Sequence, residues 1–359
     1  MKAATSTVQD SVRSQKEKEE ELSDRLKRAD FPHKYADALV QEFRLTTSRI
    51  IQEQLSASGG TKLVIELASG NVVETVLIRH ERRDAVEETV RYTVCVSSQV
   101  GCAKACSFCA TGTMGLLAHL SSAEILEQVW LAQNWLSCEN SNQVGANRIE
   151  NRLRNVVFMG MGEPLDNYDA VHEACRGLTH QCLFGFKSKH VTISTVGDSP
   201  DRIRQLADEA PQISLALSLH GATQDLRSIL IPTAKRAPLK DLEAVMQYHA
   251  RRGGRGVMLE YLLIDGLNDT TQAADALVAF CQRANYLTFV NLIPYNPTIA
   301  GADFGYQTPA NDRIESFHGR LRDQGIHSLV RWSSVQGRDA NGACGQLASA
   351  ARAKKTNQE

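Results

Sequence analysis

The chain has 359 residues, with 40 Lys and Arg against 41 Asp and Glu, a net charge of −1, and 42% hydrophobic residues. That balance excludes a globally basic nucleic-acid binder and a chain too polar to fold, and it supplies one sizeable core. No apolar run of roughly eighteen residues occurs, so no helical membrane span is expected, and no secretory leader pattern is recognised. Nine cysteines without a paired framework point to metal and thiol chemistry in a reducing compartment.

In chain order, residues 1–30 form a Lys/Glu-rich tail whose i,i+4 charge pairs suit an exposed helix. Residues 31–88 are expected to form a small α+β accessory domain. Apolar residues stand at helical spacing over 33–55, and two β-rich runs flank the turn Ser69-Gly70-Asn71. Glu74, in the second run, is by itself an ordinary strand carboxylate. From residue 89 the pattern changes to strand then helix. Strands are expected over 91–97, 155–160, 190–196, 213–220, 256–264 and 287–295, and helices over 122–137, 168–179, 199–209, 238–252, 270–285 and 311–324. Six βα units imply an α/β fold with a parallel sheet and right-handed crossovers, and their length fits a partial TIM-like barrel over 89–348. The Asn-rich stretch 138–154 reads as a surface insertion, and 349–359 as a tail.

In such barrels the reacting groups gather where the strands end. After the first strand comes GCAKACSFCATG, with Cys102, Cys106 and Cys109 at C-x3-C-x2-C. Three close thiolates suit zinc or an iron–sulfur cluster, and the missing fourth ligand leaves a structural zinc, a structural cluster and a cluster with one open iron as alternatives. Further polar residues stand at other strand ends: Gly162 and Glu163 in the turn MGMGEP, Ser194 in the third strand, Ser218 and His220 at the fourth, Asn296 after the sixth. Singly these are turn residues and satisfied hydroxyls; together they describe a ligand-binding mouth.

The cysteine spacing resembles the radical S-adenosylmethionine (SAM) superfamily. The ordered motifs VCVSSQVGCAKACSFCATG, VVFMGMGEPLDNY, VTISTVG, LALSLH, EYLLIDGLND, NLIPYNP and GACGQL, over residues 62–348, resemble the RlmN/Cfr family of adenine methyltransferases that act on 23S ribosomal RNA. The resemblance implies a partial (β/α)6 barrel of the radical SAM type with a small N-terminal α+β domain. Cys102, Cys106 and Cys109 would hold a [4Fe–4S] cluster, and Gly162, Glu163, Ser194, Ser218, Leu219, His220 and Asn296 would bind SAM. It further implies that Cys344 accepts a methyl group, that Cys95 resolves the adduct through a disulfide, and that Glu74 removes the adenine proton. Two SAM molecules would be consumed per methyl group in a ping-pong sequence. An adenine C–H is too poor a nucleophile for direct transfer, whereas a thiolate is a good one.

Expected partners are ribosomal RNA, with transfer RNA as a second substrate, and a flavodoxin- or ferredoxin-type electron donor; no membrane is involved and the protein is expected to be a monomer. The expected location is cytoplasmic, or a chloroplast or mitochondrion if the source is eukaryotic. CATGTMG resembles the Cfr-type and plastid-bearing eukaryotic members more than the commonest bacterial ones, so C8 stands beside C2 as the target carbon. Another radical SAM RNA modification such as methylthiolation, or a non-enzymatic RNA-binding metalloprotein, would be the other classes. The sequence offers Arg202, Arg204, Arg227, Lys235, Arg236, Arg251, Arg252 and Arg255 for contact with RNA.

Overall fold

The computed structural model describes residues 46–56, 59–81, 90–142, 152–284, 286–332 and 345–347, with isolated positions 32, 35 and 38. Both charged tails and Cys344 lie outside the described residues. Ten strands form one open sheet in the order β1-β2-β3-β4-β7-β8-β9-β10-β11-β12. β1 (Arg49–Leu55), β2 (Thr61–Glu66) and β3 (Val72–Glu81) are antiparallel, and β3 pairs antiparallel with β4 (Val90–Cys95). The three N-terminal strands thus extend the sheet of the barrel. β1 occupies part of the stretch expected to be helical, because Ile50 and Ile51 are β-branched and β2 supplies a ladder.

Within this sheet all pairs beyond β4 are parallel: β7 (Arg152–Phe158), β8 (Val191–Thr195), β9 (Ser214–Ser218), β10 (Val257–Leu263), β11 (Leu287–Pro294) and the short β12 (Ser328–Val330). Between them run α1 (Ser122–Asn142), α2 (Tyr168–Thr179), α3 (Pro200–Glu209), α4 (Gln224–Leu230), α5 (Leu239–Gly253) and α6 (Thr271–Arg283); α7 (Ile299–Ala302) and α8 (Asn311–Asp323) follow β11. The six expected βα units are present. The 138–154 stretch is not simply an insertion: α1 continues to Asn142 and β7 begins at Arg152. α1 starts where it does because Ser121 and Glu124 form a capping box, with Glu124 N donating to Ser121 Oγ (3.2 Å) and Ser121 N donating to Glu124 Oε2 (2.8 Å).

Side-chain alternation divides the sheet into two faces. Val94, Val156, Ile193, Leu215, Leu217, Leu259 and Val290 share the outer face and are buried under Ile125, Val129, Val171, Ile203, Leu242, Leu277 and Phe317 of the helices. Each such aliphatic side chain contributes roughly 1.5–3 kcal/mol of burial free energy. The inner face is polar by register: Glu74, Cys95, Ser194, Ser218, Glu260 and Asn291. This division aims the chemistry into the concave side of an open barrel.

Candidate active site

The cysteine loop closes a hairpin between β5 (Gln99–Cys102) and β6 (Gly115–His119), in which Cys102 pairs with Gly115. Gly101 sits at φ +77°, and a Cβ there would lie 1.9 Å from the Gly115 carbonyl, so only glycine lets the strands meet. The loop is then fastened to the strand ends. Ser107 N donates to the Leu230 carbonyl (3.0 Å), and Cys109 N to the Cys106 carbonyl (3.1 Å). The buried Lys104 ammonium donates to Asp166 (2.8 Å) and Asp198 (2.7 Å), which tie the loop to the ends of β7 and β8. Burial alone would lower the Lys104 pKa, but its bonds to Asp166 and Asp198 hold it above the ordinary value.

The turn after β7 packs directly on this hairpin. Gly162 has φ +105°, and a Cβ would meet Gln99 Cβ at 2.7 Å. Gln99 Oε1 accepts from Glu163 N (2.8 Å), and Glu163 Oε2 accepts from Val196 N (3.0 Å). Burial pushes the Glu163 pKa up to about 7, against the pull of its Val196 and Thr195 bonds and of Lys104. A carboxyl in that range becomes a good anchor when an ammonium ligand arrives to share its burial.

Across the mouth, Ser194 and Ser218 hydroxyls lie 3.2 Å apart on the inner face. Leu219 and His220 follow; His220 adopts φ +55° and is buried edge-on to Phe108 of the cysteine loop, with ring centroids 4.9 Å apart. Its Nδ1 accepts from Leu262 N (3.0 Å), which leaves the proton on Nε2. Burial, then the Arg227 charge, lowers its pKa to about 3, so the ring is neutral. Asn268 donates to the His220 carbonyl (2.9 Å) and accepts from Ile264 N (2.6 Å), holding the unusual backbone. Asn296 is buried beyond β11.

The C-terminal segment docks on the same loop. Ala110 N donates to the Gly345 carbonyl (2.8 Å), Thr111 Oγ1 to the Leu347 carbonyl (2.6 Å), and Gln346 Nε2 to the Pro297 carbonyl (3.0 Å). Thr298 Oγ1 donates to the Phe108 carbonyl (2.9 Å), closing the ring of contacts. Gly345 is the sequence neighbour of Cys344. On the opposite side, Cys95 ends β4, paired with Val76 and Val157. Glu74, two residues before Val76, is its diagonal neighbour on the inner face, on the order of 7–8 Å between Cα atoms. Glu74 is buried with Lys62 Nζ at 3.3 Å, and its carbonyl accepts from Ser97 Oγ (2.7 Å).

One sequence expectation fails outright. Arg227 is 0% exposed and cannot touch RNA: Nη1 donates to the Ser218 (2.8 Å) and Leu219 (2.6 Å) carbonyls and Nη2 to the Val196 carbonyl. It is a pillar behind the mouth, its pKa lowered by burial to about 10. Others are engaged elsewhere: Arg202 lies over Tyr168, Arg204 over Tyr248, Arg252 by Asp208 and Arg236 by Asp198. Sequence reasoning also passed over Glu260, Asn291 and Arg331. Asn291 Nδ2 donates to Glu260 Oε1 (2.8 Å) and Arg331 Nε to Asn291 Oδ1 (3.0 Å); burial raises the Glu260 pKa to about 7. A carboxylate inside the strand run VMLEYLL was the available signal.

The donor set fits an iron–sulfur cluster. Burial raises the Cys102 pKa to about 12, and the neighbouring Cys109 adds to it. Among the described residues no three His, Cys, Asp or Glu side chains converge on one ion. Cysteines of a cube each take a different iron and need no common point. A partial barrel with three cysteines in one hairpin loop at its mouth, beside a glycine turn and a buried carboxyl, defines a radical SAM protein. The model of the radical SAM superfamily matches residues 96–277. A solved radical SAM methyltransferase from Sphaerobacter thermophilus aligns with a TM-score of 0.75 at 36% identity, over 92% of this chain and 97% of that one. A probable dual-specificity RNA methyltransferase RlmN of Synechococcus sp. (strain JA-2-3B'a(2-13)) is 41% identical over 320 residues, 88% of this chain and 82% of its own length. The same description belongs to a Moorella thermoacetica relative, 39% identical over 325 residues, 90% of this chain and 86% of its own. The chain belongs to this family, the RlmN-type radical SAM RNA methyltransferases.

Proposed function

We propose that this enzyme methylates C2 of an adenine in 23S-type ribosomal RNA, and in transfer RNA as a second substrate, through a methylated Cys344. The observation that carries it is the docking of Gly345–Leu347 on the cysteine loop, opposite an inner face that bears both Cys95 and Glu74. Cys102, Cys106 and Cys109 would hold the cluster. Bound cluster and SAM would supply the methyl group and the means of hydrogen abstraction from an unactivated carbon.

Glu163 binds the ammonium of SAM, whose charge favours the ionised carboxylate that burial alone disfavours. Ser194, Ser218 and Asn296 give neutral hydrogen bonds suited to ribose and base edges, and neutral His220 offers its Nε2 proton. Cys344 supplies the nucleophilic thiolate. Cys95 resolves the carbon-bound adduct by forming a disulfide with the Cys344 sulfur, which frees the base, and Glu74 takes the proton from the adenine carbon. We infer a monomer served by a flavodoxin- or ferredoxin-type donor in a reducing compartment such as the cytoplasm.

The test is anaerobic reconstitution with methyl-labelled SAM and both RNAs, followed by nucleoside mass analysis. Label in 2-methyladenosine is expected. Recovery of 8-methyladenosine alone would move the enzyme to the C8 activity, and a Cys95→Ala enzyme that releases free methylated RNA would remove Cys95 from its role.

A further inference from the structure

Among the described residues, a row of cations that the fold leaves unpaired lies at the pole of the barrel opposite the cysteine loop. Arg152 and Arg154 open β7 and are exposed. The parallel register Val156↔Val191, run back along both chains, sets Lys187 and Lys189 beside them at the entry to β8. Ser214 Oγ donates to the Lys189 carbonyl (3.4 Å) and Arg255 Nη1 to the Gln212 carbonyl (3.3 Å), which carries the row to the entries of β9 and β10. Among the described residues none of these five side chains has a carboxylate partner. Elsewhere several surface arginines are paired: Arg283 with Glu243, Arg313 with Asp265 and Asp269, Arg320 with Asp275. In a chain of net charge −1, an unpaired basic rim is a segregation of charge.

The rim surrounds a neutral polar floor. His190 Nδ1 donates to Asn155 Oδ1 (2.8 Å), Asn155 Nδ2 donates to Thr93 Oγ1 (3.1 Å), and the Thr93 hydroxyl meets His80 Nε2 (3.0 Å). Burial first, then the charges of Arg154, Lys189, Lys187 and Arg255, lowers the His190 pKa, and burial with the charges of Arg331 and Arg91 lowers that of His80, so both rings favour their neutral, hydrogen-bonding form. Thr93 shares the inner face with Cys95 two residues further along β4, about 7 Å at the rise of a strand. Charge outside and neutral donors and acceptors within match a nucleotide: phosphates on the rim, an unstacked base on the floor.

We propose that Arg152, Arg154, Lys187, Lys189 and Arg255 grip the phosphate backbone of the substrate RNA, whose target base enters the barrel from the N-terminal ends of its strands toward Cys95. The inference rests on the RNA-methyltransferase reading and adds where the RNA sits. An acidic electron donor would also suit a basic rim, but the length of β7 puts it roughly 20 Å from the cysteine-loop pole, the wrong end for reducing a cluster there.

The test compares reconstituted full-length enzyme with the variant Arg154→Gln/Lys187→Gln/Lys189→Gln and with an equal-charge control, Arg283→Gln/Arg313→Gln/Arg320→Gln. RNA affinity is measured by anisotropy with a ribosomal hairpin across a potassium chloride series, alongside KM and kcat for methylation. The rim variant should lose about three from the slope of log K against log salt, raise KM for RNA more than tenfold, and keep kcat at saturating RNA, with an unchanged melting temperature and SAM affinity. The control should match the wild type. A rim variant with wild-type slope and KM overturns the proposal while RNA methylation by the wild type keeps the functional reading intact. Slower reduction by flavodoxin with unaltered RNA binding overturns it in favour of a protein dock. A wild-type enzyme that methylates no RNA removes the functional reading and the rim with it.

Discussion

Replacing Arg227 by methionine removes a buried guanidinium while keeping much of its volume, and it separates the two roles a basic residue could have here. Arg227 donates to three carbonyls, those of Val196, Ser218 and Leu219. Hydrogen bonds from a charged group are worth about 1.5–3 kcal/mol each, so about 4.5–9 kcal/mol is lost. Keeping the charge buried costs something in return: lowering the pKa from 12.5 to about 10 corresponds to about 3 kcal/mol. The net destabilisation is therefore about 1–6 kcal/mol, concentrated on the backbone of Ser218 and Leu219, which the proposed function assigns to SAM. Urea unfolding should show that loss, and equilibrium dialysis on the reconstituted protein should show SAM affinity reduced more than tenfold. Arg227→Lys should recover part of both. A methionine variant with wild-type stability and SAM affinity but weakened RNA binding would refute the pillar role and restore the surface role its sequence suggested.

Cys106→Ala should abolish the roughly four irons per chain of the reconstituted enzyme, measured by iron and sulfide analysis, because the remaining two cysteines leave two irons unheld. Lys104→Met strands the buried Asp198 with only Arg236 at 3.8 Å, and should cost about 3–5 kcal/mol in chemical unfolding. Glu260 has its pKa raised by burial from 4.5 to about 7, so its stabilising, protonated form is fully present below about pH 4.5 and is lost as pH rises through about 7. Glu260→Gln should accordingly unfold like the wild type at pH 4.5 and be more stable by up to about 3 kcal/mol at pH 8; equal stability at both would contradict the buried titration.

Features carried by a continuous stretch of chain were legible in the sequence. The cysteine triplet, the glycine turn before Glu163 and the alternation of six strands with helices are local patterns, and the structure has each of them within a few residues of its expected bounds. What was not legible depends on what stands opposite. Arg227 and Arg251 differ in no local feature, yet one is enclosed by three carbonyls and the other is exposed on α5, because only the fold of the Ser218–His220 turn decides it. The stretch at Arg49–Leu55 has helical spacing and becomes an edge strand because β2 offers a hydrogen-bonded partner. β5 and β6 are four and five residues long, too short for any period to show.

β4, which carries Cys95, and the C-terminal segment are held to the barrel in different ways, which bears on the proposed reaction with its two distant thiols. Cys95 sits on a β4 ladder paired on both sides, by β3 and β7, so its position is fixed with the sheet. The C-terminal segment is held differently, by single hydrogen bonds from Ala110, Thr111 and Gln346 to loop backbone. Such bonds contribute about 1 kcal/mol each, small beside the ladder that holds Cys95. In the proposed reaction one thiol takes a methyl group and then closes a disulfide with the other, and a thiol on a central ladder gives that second step a fixed partner. The fixed position of Cys95 therefore suits the resolving step of the proposed reaction.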